Sequence, residues 1–149
     1  MLAKDAMTHR AETIGPDDTL REAARRMKAL GIGALPVCED DRLIGMLTDR
    51  DIVIRSTAEG SDPSQGRVRG AMTTQVVYCY EDEPLESAAR LMEERSIRRL
   101  MVLDAGKRLV GLLSVDDLAL VARGLAANVI ESSRDPERSI QGRPWSPGD

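Results

Sequence analysis

Apolar residues recur with the spacing of an amphipathic helix between Leu20 and Leu30. The apolar side chains of this stretch lie three or four positions apart, which predicts a helix with one buried face. Thr19 and Glu22 have the spacing of a capping box at its start. Gly31 and Gly33 interrupt the pattern and are expected to end the helix.

Two short apolar runs follow this helix. They extend from Ala34 to Cys38 and from Leu43 to Leu47, with the polar turn Glu39 to Arg42 between them, and they predict two strands joined by a hairpin. A short extended piece, Glu12 to Ile14, precedes the helix, and a second helix is expected from about Asp49. The predicted order of elements is therefore β-α-β-β-α.

The same order of elements is found a second time. Ala6-Met7-Thr8 returns as Ala71-Met72-Thr73, an offset of 65 residues between the two methionines, and the helical and strand patterns return at the same offset. Two copies of one supersecondary unit explain this agreement. Together they can bury a sheet face and helix stripes that one copy leaves exposed. We therefore expect an α/β (α+β) fold of two pseudo-symmetric β-α-β-β-α repeats packed sheet to sheet.

The pattern divides the chain into four parts. The first repeat is expected at 1–56 and the second at 70–131. The segment 57–69 is rich in Gly, Ser, Asp and Pro, which indicates a linker. The segment 132–149 is polar and contains three prolines, so we expect it to be disordered.

The composition limits the classes of partner that this protein can bind. The 149 residues include 21 basic and 25 acidic side chains, for a net charge of −4, and aromatic residues are only 2% of the chain. A nucleic-acid partner is not expected, because such proteins carry a basic face or stacking aromatics. No signal peptide is found, and no apolar run approaches the ~18 residues of a membrane span. A cytoplasmic protein without membrane contact is the expectation.

Cys38, Cys79 and the single histidine, His9, offer little catalytic chemistry. Two thiols are too few for a disulfide framework and lack the spacing of a zinc site. One histidine near a terminus does not make a catalytic constellation. The run Asp49 to Asp51 suits a solvated helix start better than a divalent ion. The sequence therefore predicts no enzyme activity, no metal site and no required cofactor, and a redox role for the thiols is the weakest alternative.

One motif, Gly-x-x-Thr/Ser-x-x-Asp, occurs once in each copy at a strand-to-helix junction. It reads Gly45-x-x-Thr48-x-x-Asp51 and Gly111-x-x-Ser114-x-x-Asp117. The hydroxyl can cap the helix, the first-turn amides suit a phosphate, and the carboxylate can accept the hydroxyls of a ribose. Glycine permits close approach of a backbone or of a flat base. The same residues also form an ordinary capping pair, so a ligand site and a structural role both stay open.

These features resemble the tandem cystathionine-β-synthase (CBS) family, or Bateman module. The resemblance is carried by Met7-Thr8, Thr19 to Ala24, Ile32 to Val37, Gly45 to Asp51, Ile97 to Val102 and Gly111 to Asp117. It extends over residues 1–130, and the stretch Ile32 to Arg55 is similar to small stand-alone bacterial CBS pairs of the hypoxic-response type. It implies a regulatory, non-catalytic module that binds an adenine nucleotide or adenosine derivative (AMP, ADP, ATP, S-adenosylmethionine or NAD) between its repeats.

The resemblance also implies roles for individual residues. The acid of each motif would hold ribose hydroxyls, and its Thr or Ser would contact ribose or phosphate. The adenine would lie against the short strand before the first helix, where Thr13-Ile14 and Val77-Tyr78 match the family.

The two clefts are not expected to be equal. Arg98-Arg99 matches the basic pair that reaches the phosphate held by the other repeat, whereas Gly33-Ala34 stands at the same place in the first copy. Arg50 adds a cation beside Asp51, and guanidinium groups bind phosphate in a bidentate fashion. The cleft of Thr48 and Asp51 is thus predicted to be the better phosphate site. The other cleft is expected to be empty or to take adenosine or S-adenosylmethionine.

Two alternatives stay open. Arg98-Arg99 can instead be a solvated pair that bridges Glu93, Glu94 or Asp104. The protein can also be a ligand-free dimeric scaffold whose motifs are only helix caps. In either case the resemblance implies a homodimer, a flat disc of four repeats. Whether a protein effector binds it is left open by the sequence.

Overall fold

The computed structural model describes residues 1–9 and 12–133, which form two β-sheets flanked by helices. The strands are β1 Thr8–His9, β2 Ala34–Glu39, β3 Arg42–Thr48, β4 Tyr78–Tyr80, β5 Arg99–Leu103 and β6 Leu109–Ser114. The helices are α1 Ala3–Ala6, α2 Leu20–Leu30, α3 Asp49–Ile52, α4 Val68–Ala71, α5 Leu85–Arg95, α6 Val115–Val121 and α7 Arg123–Ser132, and a π-helical turn, Val53–Thr57, continues α3. The predicted mixed fold of two repeats is confirmed.

The long helix of each repeat begins and ends as its local sequence dictates. At the start of α2, the Thr19 hydroxyl accepts a hydrogen bond from the Glu22 amide at 3.2 Å. The helix ends at Gly31, whose φ of 66° lies in the left-handed region that glycine adopts without strain. The second copy starts α5 after Pro84 and ends it at Ser96, with a φ of 54°. The same turn is therefore built there without glycine.

The two sheets have the same plan. One has the strand order β1-β6-β5-β4, and the other is the hairpin β2-β3. A parallel bridge from Ile14 to Val37 and an antiparallel bridge from Met46 to Thr73 flank this hairpin. These single bridges take the places of β4 and β1, so each sheet has four equivalent positions.

Each sheet is completed by the start of the other repeat. β1 pairs with β6, with Thr8 opposite Leu112. Thr73 pairs with Met46 on β3 through two backbone hydrogen bonds of 2.8 and 2.9 Å. The Met-Thr pairs that mark the repeat in the sequence are thus exchanged between the two sheets.

The short helices before these Met-Thr pairs are exchanged as well. Ala3 and Met7 lie in the core of the second repeat, and Val68 and Ala71 lie in the core of the first. The helix α4 begins inside the segment 57–69 that the composition indicates as a linker. The sequence division thus describes the period of the repeat, whereas each packing unit takes its first helix from the other copy.

Two hydrophobic cores follow from this arrangement. The first contains Ile14, Leu20, Ala23, Met27, Leu35, Val37, Leu47, Val68 and Ala71. The second contains Ala3, Met7, Cys79, Leu85, Ala88, Ala89, Met92, Leu100, Val102, Leu113, Val115, Leu118, Ala126 and Val129.

The helix α7 belongs to the second repeat alone. Its Ala126 and Val129 are buried in the second core, and no helix occupies the corresponding place after the π-helical turn of the first repeat in the described chain. Of the segment 132–149, expected to be disordered, Ser132 is the last residue of α7 and Ser133 is its C-cap. The rest of that segment lies outside the described residues.

Candidate ligand site between the two repeats

The motif of the second copy caps α6. The Asp117 amide donates to the Ser114 hydroxyl at 3.1 Å, and the Asp117 carboxylate accepts from the Ser114 amide at 2.9 Å and from its hydroxyl at 3.0 Å. A further donor comes from β1, where the Thr8 hydroxyl lies 3.1 Å from Asp117 Oδ1. The carboxylate is therefore oriented by its own repeat and by the exchanged N-terminal segment.

The motif of the first copy has the same capping box but a different third partner. The Thr48 amide donates to Asp51 Oδ2 at 2.9 Å, and the Asp51 amide donates to Thr48 Oγ1 at 3.1 Å. Arg55 Nε lies 4.0 Å from Asp51 Oδ1, and the same guanidinium donates to the Met72 carbonyl at 3.0 Å. The matching position of the second copy is Val121. The third partner of Asp51 is therefore the Arg55 guanidinium, whereas that of Asp117 is the Thr8 hydroxyl.

Sequence reasoning missed Arg55. The signal available was its position four residues after Asp51 on a helix, the spacing at which side chains of opposite charge meet.

The glycine of each motif is required by backbone packing. A Cβ on Gly45 would lie 2.8 Å from the Met72 sulfur and 2.9 Å from the Thr73 carbonyl oxygen. A Cβ on Gly111 would lie 2.5 Å from the Met7 sulfur and 2.9 Å from the Thr8 carbonyl oxygen. Of the two reasons for glycine that the sequence left open, close approach of another backbone is the one observed.

A cleft of about 390 Å³, here called the inter-repeat cleft, lies between the two sheets. Its lining comprises Thr8, Glu12, Leu30, Ile32, Ala34, Pro36, Met46, Arg99, Met101, Leu112, Ser114 and Asp116. Apolar strand residues form most of its wall, while Thr8 and Ser114 bring the two hydroxyls that hold Asp117 to its edge. A mostly apolar cleft with a few convergent polar groups is typical of small-molecule sites of about 300–1,000 Å³.

A second space, here called the arginine cavity, adjoins this cleft and has a volume of about 560 Å³. It is lined by Ser96, Ile97, Arg98, Arg99, Ser114, Val115, Asp116 and Ser133. Arg99, Ser114 and Asp116 line both spaces, so the two are continuous around these side chains. The cavity combines two cations with one carboxylate.

The side chains of Arg98 and Arg99 have no acidic partner within the described residues. Arg98 Nε donates to the Ser133 hydroxyl at 3.0 Å. The alternative of a charge pair bridging Glu93, Glu94 or Asp104 is thus not observed in that part of the chain.

Arg98 and Arg99 lie beside the motif of their own repeat. Arg99 is directly opposite Ser114 in the β5–β6 pairing, and the Val115 amide donates to the Arg98 carbonyl at 2.9 Å. The arginine cavity, which both arginines line, and the inter-repeat cleft, which Arg99 lines, contain Ser114 and not the predicted partners Thr48 and Asp51. Arg50, also predicted for the phosphate site, is an exposed residue of α3.

The predicted adenine contacts are held by other interactions. The Thr13 carbonyl accepts a hydrogen bond from Arg26. Ile14 is buried in the first core and forms a parallel bridge with Val37. Cys79 pairs in the same way with Val102, the residue of β5 that corresponds to Val37. Cys79, not Tyr78, is therefore the structural counterpart of Ile14, and a shift of one residue turns a side chain to the other face of a strand.

Val77 and Tyr78 line a separate cavity of about 400 Å³. Its other lining residues are Gln75, Val76, Leu91 and Arg95. Tyr78 also lines a smaller pocket of about 140 Å³ with Leu43 and Ile44 of the first repeat. Neither of these two cavities shares a lining residue with the inter-repeat cleft.

Comparison with known proteins assigns the family. The family model of the CBS domain matches residues 3–56 and 68–124. The chain belongs to the CBS-domain family. It is 44% identical over 117 residues to the CBS domain-containing protein YhcV of Bacillus subtilis strain 168, covering 78% of this chain and 82% of the relative.

Solved CBS structures extend the likeness. Hypoxic response protein 1 of Mycobacterium tuberculosis is 39% identical over 118 residues, covering 78% of this chain and 82% of the relative. Its crystal structure with two coordinated zinc ions superposes with a TM-score of 0.73, at 38% identity, over 81% of this chain and 98% of that one. The complex of CBSX2 with AMP has a TM-score of 0.71, at 27% identity, over 83% and 97% of the two chains. The resemblance to CBS pairs of the hypoxic-response type is confirmed.

The two zinc ions belong to that relative's structure, and the donor groups of this CBS protein are arranged differently. Residues 1–9 and 12–133 contain no cluster of three His, Cys, Asp or Glu side chains that could hold a metal ion. Burial raises the pKa of the Cys38 thiol to about 11 and that of the Cys79 thiol to about 12, with nearby Asp41 and Glu83 adding to the effect. Because the thiolate is the form that binds metal or attacks, these thiols are poor donors at neutral pH.

None of the helices in the described part of the chain has the length and apolar character needed to cross a bilayer.

Proposed function

We propose that this CBS protein is a regulatory, non-catalytic module that binds an adenosine-containing ligand, an adenine nucleotide, in the inter-repeat cleft. One observation carries the proposal: Thr8 and Ser114 converge on the Asp117 carboxylate at the edge of an apolar cleft that also contains Arg99. CBSX2, solved with AMP, supports a ligand of this class.

Each part of such a ligand has a counterpart in the site. The ribose hydroxyls would donate to Asp117, as they do to acidic residues in other nucleotide sites. The base would lie among the apolar side chains of the two sheets, such as Met46 and Leu112. The phosphate would point to Arg99 and the arginine cavity, where cations outnumber carboxylates.

We propose a second, weaker nucleoside position at Gly45, Thr48 and Asp51. The Arg55 guanidinium beside Asp51 competes with ribose hydroxyls for the carboxylate. The geometry therefore favours Asp117 as the main ligand residue, the reverse of the order that the sequence indicated. Thr13, Ile14, Val77 and Tyr78 stay predicted base contacts.

The absence of catalysis is proposed from the chemistry of the site. The titratable residues that line the inter-repeat cleft are Glu12, Arg99 and Asp116, and Asp117 is hydrogen-bonded to its Thr8 and Ser114. The two cysteines have raised pKa values and do not line the cleft. The hydroxyls of Thr8 and Ser114 donate to the helix-capping Asp117, and no His, Lys or Cys lines the described cleft to act as a general base or stronger nucleophile. Since the two thiols are unpaired, we place the protein in the reducing cytoplasm.

We further propose a homodimer through the π-helical turn of the first repeat and α6 of the second. Val53 and Ile54 on the π-helical turn, and Leu120 and Val121 at the end of α6, are exposed apolar residues at closely matching places of the two repeats. Leu120 is 85% exposed. Clusters of exposed apolar side chains mark association surfaces. A second copy packed against the π-helical turn and α6 would bury both pairs of side chains.

Titration calorimetry with AMP, ATP, NAD, S-adenosylmethionine and adenosine tests the ligand proposal. Asp117→Asn is expected to weaken binding by about 10- to 100-fold, the cost of losing hydrogen bonds to a charged acceptor. Asp51→Asn removes the same capping acid from the weaker position and is expected to reduce binding less than Asp117→Asn does. If none of the five compounds binds at millimolar concentration, the ligand-free scaffold is the better description.

A further inference from the structure

The last turn of α7 ends at the arginine cavity. The Ser133 hydroxyl donates its single proton to the Ile130 carbonyl at 2.9 Å. It therefore acts as an acceptor toward Arg98, whose Nε lies 3.0 Å away. This hydrogen bond joins the wall of the arginine cavity to the C-terminal end of a helix that only the second repeat possesses in the described chain.

Arg98 contributes charge as well as a hydrogen bond. The end of a helix carries a partial negative charge, which a guanidinium beside the last turn stabilises. The helix is anchored in the core by Ala126 and Val129, but the residues after Val129 are half-buried or exposed. The last turn therefore depends on Arg98 more than the first two turns do.

The same guanidinium is available to an anion. Its only side-chain partner within the described residues is the neutral Ser133 hydroxyl. A phosphate offers the guanidinium an ionised acceptor and two parallel hydrogen bonds, whereas Ser133 offers a single neutral oxygen. A phosphate in the arginine cavity would thus compete directly with Ser133 for Arg98.

We propose that Arg98 is a switch: a phosphate group in the arginine cavity draws Arg98 away from Ser133, and the last turn of α7 loosens in response. The inference rests on the proposed function and extends it, because it names α7 as the element that reports an occupied site. A ligand without phosphate would fill the inter-repeat cleft and leave the Arg98–Ser133 bond in place.

Hydrogen exchange of the intact protein tests this switch. With saturating AMP, exchange of the Ile130 to Ser133 amides is expected to rise by about two- to fivefold, the loss of one helix-end charge interaction. With saturating adenosine, the same amides are expected to exchange as in the free protein. Calorimetry on the same samples measures binding separately. AMP binding without faster exchange at these amides overturns the switch and leaves the proposed function intact, whereas no binding of either compound overturns both.

Two variants separate the switch from simple packing. In the free protein, Arg98→Gln is expected to raise exchange at Ile130 to Ser133 to the AMP-bound level, and AMP should add no further increase. Ser133→Ala is expected to tighten AMP by about two- to fivefold and to leave adenosine affinity unchanged, because Arg98 no longer has to leave an acceptor. Arg90→Gln, an exposed arginine of α5, is the control for lost charge. Wild-type exchange in free Arg98→Gln, or an unchanged AMP-to-adenosine ratio in Ser133→Ala, contradicts the switch.

Discussion

Replacing Gly111 with alanine should push the exchanged N-terminal segment off β6. The new Cβ would lie 2.5 Å from the Met7 sulfur and 2.9 Å from the Thr8 carbonyl oxygen. The methionine side chain can move, but the Thr8 oxygen is backbone and is held by the pairing of β1 with β6. The clash therefore displaces the strand that carries the Thr8 hydroxyl to Asp117.

The magnitude follows from overpacking. Inserting a methylene-sized group into a well-packed site costs about 1–3 kcal/mol. For a chain of 149 residues, each kilocalorie per mole shifts Tm by about 2–4 °C, so we expect Gly111→Ala to lower Tm by roughly 2–12 °C. Because the Thr8–Asp117 bond is lost as well, AMP affinity should fall with stability.

Circular dichroism measures the free energy of unfolding in urea and the Tm on heating. Gly124→Ala is the matched control, since a Cβ at Gly124 meets nothing within 4 Å and the residue lies in α7. Alanine in a helix is favoured over glycine by about 0.5–1 kcal/mol, so the control should be as stable as the natural protein or more stable. A Gly111→Ala protein within about 0.5 kcal/mol of the natural one, the usual range for a neutral surface change, would show that glycine is not required there by the exchanged backbone.

Three further predictions concern other parts of the molecule. Asp40 and Asp41 have φ values of 51° and 64°, so Asp41→Gly should raise the free energy of unfolding by up to about 1 kcal/mol in urea titrations; a loss of stability would show that the aspartate contributes more than its strain costs. The pKa values of Cys38 and Cys79, about 11 and 12 against an ordinary 9.0, imply that stability is unaffected by these thiols below pH 9 and falls as pH rises above it, where only the unfolded chain ionises readily. Alkaline unfolding curves of the natural and Cys79→Ser proteins check this, and equal slopes would contradict it. Leu120→Glu should shift sedimentation from dimer to monomer, and a surface change of about 0.5 kcal/mol should lower Tm by no more than about 2 °C. A dimer that persists would place the interface elsewhere.

The secondary structure was largely predictable because its signals are local. The span of α2 and its cap at Thr19 follow from the spacing of apolar residues and from one side chain reaching one amide. The hairpin of β2 and β3 follows from two apolar runs around a polar turn. The motif residues cap α3 and α6 as their spacing indicates.

The candidate site was less predictable because it is formed by contacts between the copies. Thr8 lies 109 positions from Asp117, and its hydrogen bond depends on the N-terminal segment packing on the second repeat. Arg98 was expected to serve the cleft of the other motif, but it bonds to Ser133 on α7. The periodicity of the sequence predicts neither the Thr8–Asp117 contact nor the Arg98–Ser133 contact.

The sequence by itself determined that this protein has two copies of one unit, where the long helix and the β-hairpin of each copy lie, and that each copy carries a capped motif with an acid. These properties depend on neighbours a few residues apart. Only the tertiary structure decided that the copies exchange their first segments and that another stretch of backbone packs against Gly45 and Gly111. It also decided that Arg98 and Arg99 line a cavity together with Ser114. The physical reason is that an offset between repeats reports their period, whereas the partner of each segment is chosen by the burial of whole sheet faces, which only the folded chain brings together.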